Sequence, residues 1–261
     1  MQTALLSGLI AGMLCAYLGV FVVLKKIVFV GIALSEVAGL GVAAGLFLGL
    51  NSYATTLILT LFAILLFWLP FPEKTVSREC LIGFVYALCA AFAVILIARN
   101  PEAVAHGINL VSGNLLYAGW RDIGLMGVIA LIIAAIHLIF FKEFIFVSFD
   151  RETALTTGIK ANFMDFLLYL SIGFAISISM KVCGIIFVFA SLVIPAMTGL
   201  LITKTIWKIF LSAVCIACFS VTIGLFVSYR SDFPSGPTIV GLYALIFVFF
   251  SAIRLIKGIS N

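Results

Sequence analysis

Charged residues are scarce in this chain of 261 residues. Asp, Glu, Lys and Arg together make up 10% of it, whereas apolar residues make up 65%. A soluble domain is about a quarter charged and about half apolar, and a globule of this size has too little interior to remove so much apolar surface from water. The composition predicts an all-α polytopic protein, a single transmembrane domain over residues 1–261, whose partner is the lipid bilayer rather than nucleic acid.

Patterns that bind nucleotides or carry hydrolytic chemistry are also missing. No GxxxxGK[ST] stretch occurs, so the chain does not bind a nucleotide through a P-loop. Neither HExxH nor GxSxG occurs, and the two histidines, His106 and His137, have no partner at the spacing of a zinc protease. An embedded enzyme would need a catalytic pair, for which Glu36 and His137 are the only candidates. The chain is therefore expected to be no enzyme and to hold no cofactor of its own.

Cysteine occurs six times, but not in a pattern that predicts disulfides. Most of the six lie inside apolar runs, where a cysteine packs as a small polarizable residue. Cys215 and Cys218 form a CxxC in the middle of a predicted span, where partners for redox or metal chemistry have little access. We therefore interpret the cysteines as packing residues.

Long apolar runs are what the sequence has in abundance. Segments of about 20 apolar residues can cross a bilayer as helices. The first run lacks the basic segment of a signal peptide, so it is predicted to be a retained span. The sequence predicts about eight to nine transmembrane helices, with a longer mixed connection over 99–120. The nine approximate segments are 3–24, 29–50, 53–70, 80–98, 121–141, 163–180, 184–203, 206–228 and 238–256.

Basic residues are distributed unequally between the two sides that nine spans define. Cytoplasmic loops of membrane proteins are enriched in Lys and Arg. Eleven basic residues fall on the side of the C-terminus and four on the other, so the N-terminus is predicted to lie outside and the C-terminus in the cytoplasm. The cytoplasmic set is Lys25, Lys26, Lys74, Arg78, Lys142, Arg151, Lys160, Lys204, Lys208, Arg254 and Lys257, and the external set is Arg99, Arg121, Lys181 and Arg230.

One carboxylate interrupts the second apolar segment, which reads FVGIALSEVAGLGVAAG over residues 29–45. Gly41 and Gly45 belong to a stripe of small residues that lets helix backbones approach closely in lipid. Glu36 lies about 140° around the helix from Gly41, so it faces another helix or a cavity. An acid at membrane depth is a functional hypothesis by default. The alternative is a protonated acid, or one hydrogen-bonded to Ser35 or to a neighbouring helix, that only fixes the bundle.

A polar segment separates two spans on the cytoplasmic side. It reads KEFIFVSFDRETALTTGIKANFMD over residues 142–165. Asp150 is a good N-cap and Gly158 a good stop, and together they predict a helix of about two turns outside the bilayer. Such a helix either floats at the membrane surface or contacts a cytoplasmic partner.

Pro195 lies inside a predicted span, in the stretch SLVIPAM. Proline cannot donate to the carbonyl four residues before it, here that of Ser191, and it is expected to kink the helix. Kinked helices are common in transporters, although many are only packing features.

Five stretches match, in order, the motifs of one family of transport proteins. The family's fxGDALSHAxLPGVALG stands here as FVGIALSEVAGLGVAAG, and its sfDpexAxxxGi as VSFDRETALTTGI. KxxGxlLvxalLiiPAatA corresponds to KVCGIIFVFASLVIPAMTGLL, and xyxxdxPSGxTIVL to SYRSDFPSGPTIVG. A fainter match pairs LVSGNLLYAGWRDI with xLfGdiLxvsxxDl. Over nearly its whole length, the chain resembles the permease subunits of bacterial zinc, manganese and iron ABC importers.

The resemblance implies a fold like that of type II ABC importer permeases and a role as the transmembrane subunit of an ATP-driven importer in the bacterial inner membrane. It implies a homodimer with the translocation path at the two-fold axis. Residues 148–159 would be the coupling helix, seated in a groove of a cytoplasmic ATPase subunit that binds ATP and Mg²⁺. An extracytoplasmic metal-binding protein would deliver a divalent cation as cargo. The implied coupling-helix residues are Asp150, Arg151, Glu152, Ala154 and Gly158.

The chain departs from the family's second-span motif at both positions that offer metal ligands. The family has an Asp and a His four residues apart, on one helix face, whereas this chain has Ile32 and Glu36. The remaining ligand is a harder oxygen donor, which favours manganese or iron slightly over zinc. Two Glu36 side chains across a dimer axis would form a transient cation site, and His137 is a second candidate for the path. A metal chelate or another cargo is the alternative.

Two other classes of protein compete with an importer subunit. An ion-coupled secondary carrier would also have an intramembrane acid, kinked helices and no P-loop, but such carriers often have inverted repeats and two or more membrane acids. This sequence has one deep acid and no convincing repeat. A bare structural scaffold is the remaining alternative. An ATPase that co-purifies and is required for uptake would separate an importer subunit from a carrier.

Overall fold

The computed structural model describes residues 1–69, 77–99, 113, 115 and 118–259. These residues form helices and contain no β-strand, which confirms the predicted all-α class. In chain order the helices are α1 (Gln2–Leu24), α2 (Val28–Leu48), α3 (Ser52–Trp68), α4 (Arg78–Ala98), α5 (Trp120–Ile139), α6 (Phe141–Phe149), α7 (Arg151–Thr156), α8 (Ala161–Cys183), α9 (Ile185–Ile202), α10 (Ile206–Ser231) and α11 (Ser235–Ile259).

Nine of these helices coincide with the nine apolar segments predicted from the sequence. In the described part of the chain, eight are long and apolar enough to cross a membrane. The ninth, α3, has 17 residues, which is about 26 Å of helix against a hydrocarbon core of about 30 Å. The prediction of about eight to nine transmembrane helices is therefore confirmed. Helix α6 was not predicted, because the sequence indicated only one short helix between the fifth and sixth spans.

Four helices form the interior of the bundle. Helices α1, α2, α8 and α9 bury more than half of their central residues, and their apolar side chains join one continuous core. Helix α1 packs on α9 and α10, while α8 packs on α1, α2 and α3. Helices α4, α5 and α11 lie at the periphery and bury few of their side chains, and α4 packs mainly on α2. The helix that carries Glu36 is therefore an interior element.

All three tryptophans of the chain lie at helix ends. Trp68 is the last residue of α3, Trp120 is the first residue of α5, and Trp207 is the second residue of α10. Each is exposed. Tryptophan is enriched where a membrane protein meets the headgroup region, so these residues mark the two levels at which the bilayer ends.

Charged contacts place the predicted cytoplasmic and external residues at opposite ends of the bundle. At one end of α8, Asp165 forms ion pairs with Lys25 and Arg151. At the other end of α8, the Lys181 ammonium lies 3.7 Å from the centre of the Tyr53 ring. Two predicted cytoplasmic groups, Lys74 and the side chain of Lys257, lie outside the described residues.

The glycine stripe of α2 forms the contact with α3. A Cβ atom on Gly41 would lie 2.5 Å from the Cα of Thr56, and one on Gly45 would lie 2.7 Å from the Cα of Ser52. The Thr55 hydroxyl donates a hydrogen bond of 2.8 Å to the Gly41 carbonyl oxygen. The backbones of α2 and α3 can therefore approach this closely only because both positions lack a side chain.

Pro195 lies inside α9, which continues as a helix from Ile185 to Ile202. Its side chain is buried in the bundle. One turn earlier, the Ser191 hydroxyl donates a hydrogen bond of 3.3 Å to the Tyr243 hydroxyl of α11. The proline therefore lies beside a polar contact between two spans, and the kink expected at Pro195 stays a prediction.

We predict that Gly41→Ala lowers the free energy of unfolding by about 2 kcal/mol, because the added methyl group overlaps the α3 backbone. The measurement is the thermal unfolding midpoint of the purified protein in detergent. Gly83→Ala is the matched control, since a Cβ there meets no heavy atom within 4 Å and alanine is the better helix former. An unchanged midpoint for Gly41→Ala would contradict the close packing of α2 on α3.

Candidate functional site

Glu36 lies on the least buried stripe of α2. Between residues 31 and 45, every residue of the helix is buried except four, and these four recur every four residues. Residues four apart lie on one face of a helix, so the four define a single half-exposed stripe. Its members are Ile32, Glu36, Leu40 and Ala44.

The Glu36 carboxylate forms no hydrogen bond or ion pair with the described part of the chain. The neighbouring Ser35 hydroxyl donates instead to the carbonyl oxygen of Gly31, at 2.9 Å. A carboxylate inside a helical bundle normally faces a partner or a water-filled cavity, because its burial without either is costly. Glu36 is thus available to an added ligand from the half-exposed stripe.

Cys89 is an ionisable residue on a neighbouring helix that the sequence did not single out. It lies on α4, and its thiol is close enough to the Glu36 carboxylate for the two to interact electrostatically. Helix α4 buries one narrow face against α2, formed by Ile82, Val85, Cys89 and Ala93. Their spacing of three and four residues is the sequence signal that could have placed Cys89 on this face.

The donors that one protomer brings together are few. Within the described residues there is no group of three or more His, Cys, Asp and Glu side chains that could hold a metal ion. A structural zinc site needs four ligands, whereas the stripe of one protomer offers a single carboxylate, that of Glu36. This donor set suits a cation that is bound weakly and released.

His137 is placed elsewhere in the molecule. It is buried near the end of α5, stacked on Phe144 with ring centres 4.4 Å apart and edge-on to Tyr17 and Phe21. Neither ring nitrogen has a hydrogen-bond partner among the described residues. Helix α5 packs on α1, α6 and α8. The structure therefore does not bring His137 and Glu36 together, so the catalytic pair that the sequence offered is not formed. His106, the other histidine, lies outside the described residues.

The short helix α7 begins and ends where the sequence predicts. The Asp150 carboxylate accepts hydrogen bonds from the Thr153 backbone N–H, at 3.0 Å, and from the Thr153 hydroxyl, at 2.5 Å. These two hydrogen bonds hold the pKa of Asp150 below its usual value of 3.8, and the bond from the Thr153 hydroxyl has the larger effect. A carboxyl group whose pKa is lowered by folding stabilises the folded state at higher pH. This stabilisation is lost as the pH falls through the lowered pKa. Asp150 therefore remains an ionised cap at neutral pH.

The other end of α7 is closed by Gly158, which has a φ of +83°. A left-handed glycine just after a helix is a common stop. Of the residues between Asp150 and Gly158, only Ala154 is buried, and Arg151, Glu152 and Leu155 are exposed. The helix thus presents most of its surface away from the bundle.

A polar cluster closes the opposite end of the bundle. The Tyr53 hydroxyl of α3 donates to the Asp122 carboxylate of α5, and Lys181 of α8 covers the Tyr53 ring. Asp122 also accepts from the Gly119 N–H, at 3.1 Å. Three spans, α3, α5 and α8, are therefore connected at the end of the bundle opposite to α7.

These features define a class of protein. A bundle of membrane-spanning helices, with an acid on the half-exposed stripe of an interior helix and a short helix outside the bilayer, is a polytopic membrane permease. The chain belongs to the ABC 3 transport family, whose model matches residues 1–254. It is a multi-pass integral protein of the bacterial inner membrane.

Relatives of this family are similar over almost the whole chain. The high-affinity zinc uptake system membrane protein ZnuB of Haemophilus influenzae is 30% identical over 246 residues, which cover 94% of each chain. The manganese transport system membrane protein MntC of Listeria innocua is 28% identical over 249 residues, which cover 95% of this chain and 88% of MntC. The resemblance to metal importer permeases that the motifs indicated is confirmed.

A solved structure has the same fold. PsaBC from Streptococcus pneumoniae, in complex with Fab, superimposes with a TM-score of 0.86 at 24% identity, covering 95% of this chain and 90% of the other. At that identity the similarity shows the fold alone. It confirms the predicted fold of an ABC transporter permease.

We predict that Ile32→Asp raises the affinity of the purified protein for Mn²⁺ about tenfold, equal to about 1.4 kcal/mol. The substitution places a second carboxylate one turn from Glu36 on the same half-exposed stripe, and oxygen donors suit this cation. Affinity is measured by equilibrium dialysis in detergent. Ile32→Asn is the matched control, because it has the same shape as Asp without the charge. Equal affinities for the two variants would show that the stripe does not bind the cation.

Proposed function

We propose that this chain is the permease subunit of an ATP-driven importer for a divalent metal cation: zinc, manganese or iron. Membership of the ABC 3 transport family and the names of its relatives, which cover zinc and manganese transport, support this class. The observation that carries the proposal is Glu36, an acid without a partner in the described residues, on the half-exposed stripe of an interior helix. Such an acid in a transport protein marks a cation pathway.

In this proposal Glu36 belongs to a transient cation site that is completed by a second copy of the chain. One protomer supplies too few donors for a closed site, and a homodimer with the path at its two-fold axis doubles the set. Two Glu36 carboxylates, one from each protomer, provide oxygen ligands to the cation. A site with few protein ligands accepts zinc, manganese and iron, since ligand softness and geometry rather than raw affinity decide among these cations.

The energy for transport comes from another subunit. The chain has no P-loop, so ATP and Mg²⁺ are bound by a cytoplasmic ATPase that contacts residues 148–159 as a coupling helix. The exposed surface of α7, between Asp150 and Gly158, is the part of the bundle that protrudes for this contact. An extracytoplasmic metal-binding protein delivers the cation on the other side, and nucleotide-driven closure switches access between the two sides.

Reconstitution tests this function directly. The chain and its ATPase are placed together in vesicles, and uptake of zinc, manganese and iron is measured with and without ATP. We expect uptake of at least one of these cations that requires both the ATPase and ATP. Uptake by the chain alone, driven by an ion gradient, would instead establish a secondary carrier and overturn the proposal.

We predict that Glu36→Gln lowers ATP-dependent uptake about tenfold or more, because the amide keeps the size of the side chain but is not an anionic ligand. The ATPase should co-purify with the variant in the usual amount, since Glu36 is remote from α7. Glu143→Gln, at the cytoplasmic end on α6, is the matched control and should transport normally. Full uptake by Glu36→Gln would remove Glu36 from the path.

We predict that Asp150→Ala weakens the association of the chain with its ATPase severalfold. Alanine removes the cap of α7, so the N–H of Thr153 loses its acceptor and the helix frays. Asp150→Asn is the control, because asparagine caps as well as aspartate. The fraction of ATPase retained on affinity-purified permease is the measurement. Equal retention for the two variants would mean that the folded state of α7 does not matter for the contact.

A further inference from the structure

Asp165, in the first turns of α8, receives two cations from different parts of the chain. Its Oδ1 accepts from the ammonium of Lys25, which follows the last residue of α1, and its Oδ2 accepts from Nε of Arg151 at 3.1 Å. The side chains of Asp165 and Lys25 are only 14% and 12% exposed, whereas that of Arg151 is 54% exposed. One carboxylate thus joins the C-terminal end of α1, the start of α8 and the first residue of α7.

Asn162, one turn before Asp165, extends this connection to a third span. Nη2 of Arg151 donates to Asn162 Oδ1 at 2.6 Å, and the Trp68 indole N–H donates to the Asn162 carbonyl oxygen at 3.1 Å. Trp68 is the last residue of α3. The planar guanidinium of Arg151 is therefore held at two points, which a single ammonium could not reproduce.

Helix α7 has few other attachments to the bundle. It is six residues long, and the only one of them that is buried is Ala154. Beyond its chain neighbour α6, the helix packs on α8. A sideways displacement of α7 is therefore resisted by one alanine and by the Arg151 side chain, so the side chain is the polar joint between the protruding helix and the spans.

Helix α8 leads from this joint to the candidate cation site. It packs on α2, which carries Glu36, and on α3. Rigid helices carry displacement along their length, and packed cores switch between discrete arrangements rather than deforming continuously. A partner that moves α7 can therefore bias the position of α2 through α8 alone.

We propose that Asp165 is a positioning residue for transport, which transmits the movement of the coupling helix α7 to α8 and α1 through its shared contacts with Arg151 and Lys25. The inference rests on the proposed function, since it needs an ATPase that moves α7. It assigns to Asp165 no contact with the cation and none with the ATPase. Loss of the carboxylate should therefore separate ATP hydrolysis from cargo movement rather than abolish either partner's binding.

The test uses the full complex of permease and ATPase in vesicles, with Mn²⁺ as the cargo. ATP hydrolysis and Mn²⁺ uptake are measured in the same vesicles, and their ratio is compared between variants. We expect Asp165→Asn to retain its ATPase and to hydrolyse ATP, while Mn²⁺ moved per ATP falls about tenfold, within the usual range of coupling between distant sites.

Arg151→Gln keeps the inference testable if Asp165→Asn fails to fold, because the Arg151 side chain is more than half exposed and buries little. We expect it to lower the ratio to the same extent, and Arg151→Lys, which keeps one of the contacts, to restore part of it. Combining Arg151→Gln with Asp165→Asn should add nothing, since both break the same joint. Glu143→Gln, on the neighbouring helix, is the control and should keep the wild-type ratio.

The outcomes distinguish the two proposals. If a folded Asp165→Asn or Arg151→Gln complex moves as much Mn²⁺ per ATP as the wild type, the proposed role of Asp165 is overturned and the importer function stays intact. Additive losses in the double variant also overturn it, since the residues would then act separately. Wild-type vesicles that show no ATP-dependent Mn²⁺, zinc or iron uptake overturn the proposed function itself, before any variant is compared.

Discussion

The hydrocarbon core of the bilayer offers no water to a polar group. This constraint explains the helical spans, the close contact of α2 with α3 and the position of Glu36. Backbone N–H and C=O groups in hydrocarbon must bond within the chain, so the described spans are helices. Helices in lipid are not driven together by the hydrophobic effect, and α2 and α3 instead bring their backbones into contact at Gly41 and Gly45. In such surroundings a single acid is costly. Glu36 is tolerated on the one stripe of α2 that remains half exposed.

The end of the bundle that carries α7 follows a different rule, because charged side chains are exposed there. Asp150 is ionised and caps a helix that protrudes, and Asp165 is shared between two cations. In the proposed importer, mechanical work comes from a separate ATPase, and these contacts are where that work enters the chain. Helix α8 connects these two regions, since it begins near the contacts of Asp165 and packs on α2, the helix that carries Glu36.

The features predicted correctly from the sequence are those that depend on residues close together in the chain. Apolar run length located nine helices, and the capping preference of aspartate with the left-handed glycine Gly158 located α7. Helix α6 was missed because its first turn contains Lys142 and Glu143, and the segment from residue 142 onward was interpreted as a polar connection with one short helix. Cys89 was missed for a different reason: its position near Glu36 depends on how α4 packs on α2. The pairing of Glu36 with His137 fails because their helices lie in different parts of the bundle.

By itself, the sequence determined that this protein lies in a bilayer, that it is helical, that its basic residues are concentrated on one side, and that Glu36 is the acid inside a span. Each of these follows from composition or from residues close together in the chain. Only the tertiary structure decided that Glu36 lies near a thiol, that His137 is enclosed by aromatic rings, and that Lys25, Arg151 and Asp165 meet at one point. Most of these contacts join residues far apart in sequence, such as Lys25 with Asp165 and His137 with Tyr17 and Phe21. They form because helix packing in lipid is selected by shape and small-residue contacts, which no single segment specifies alone.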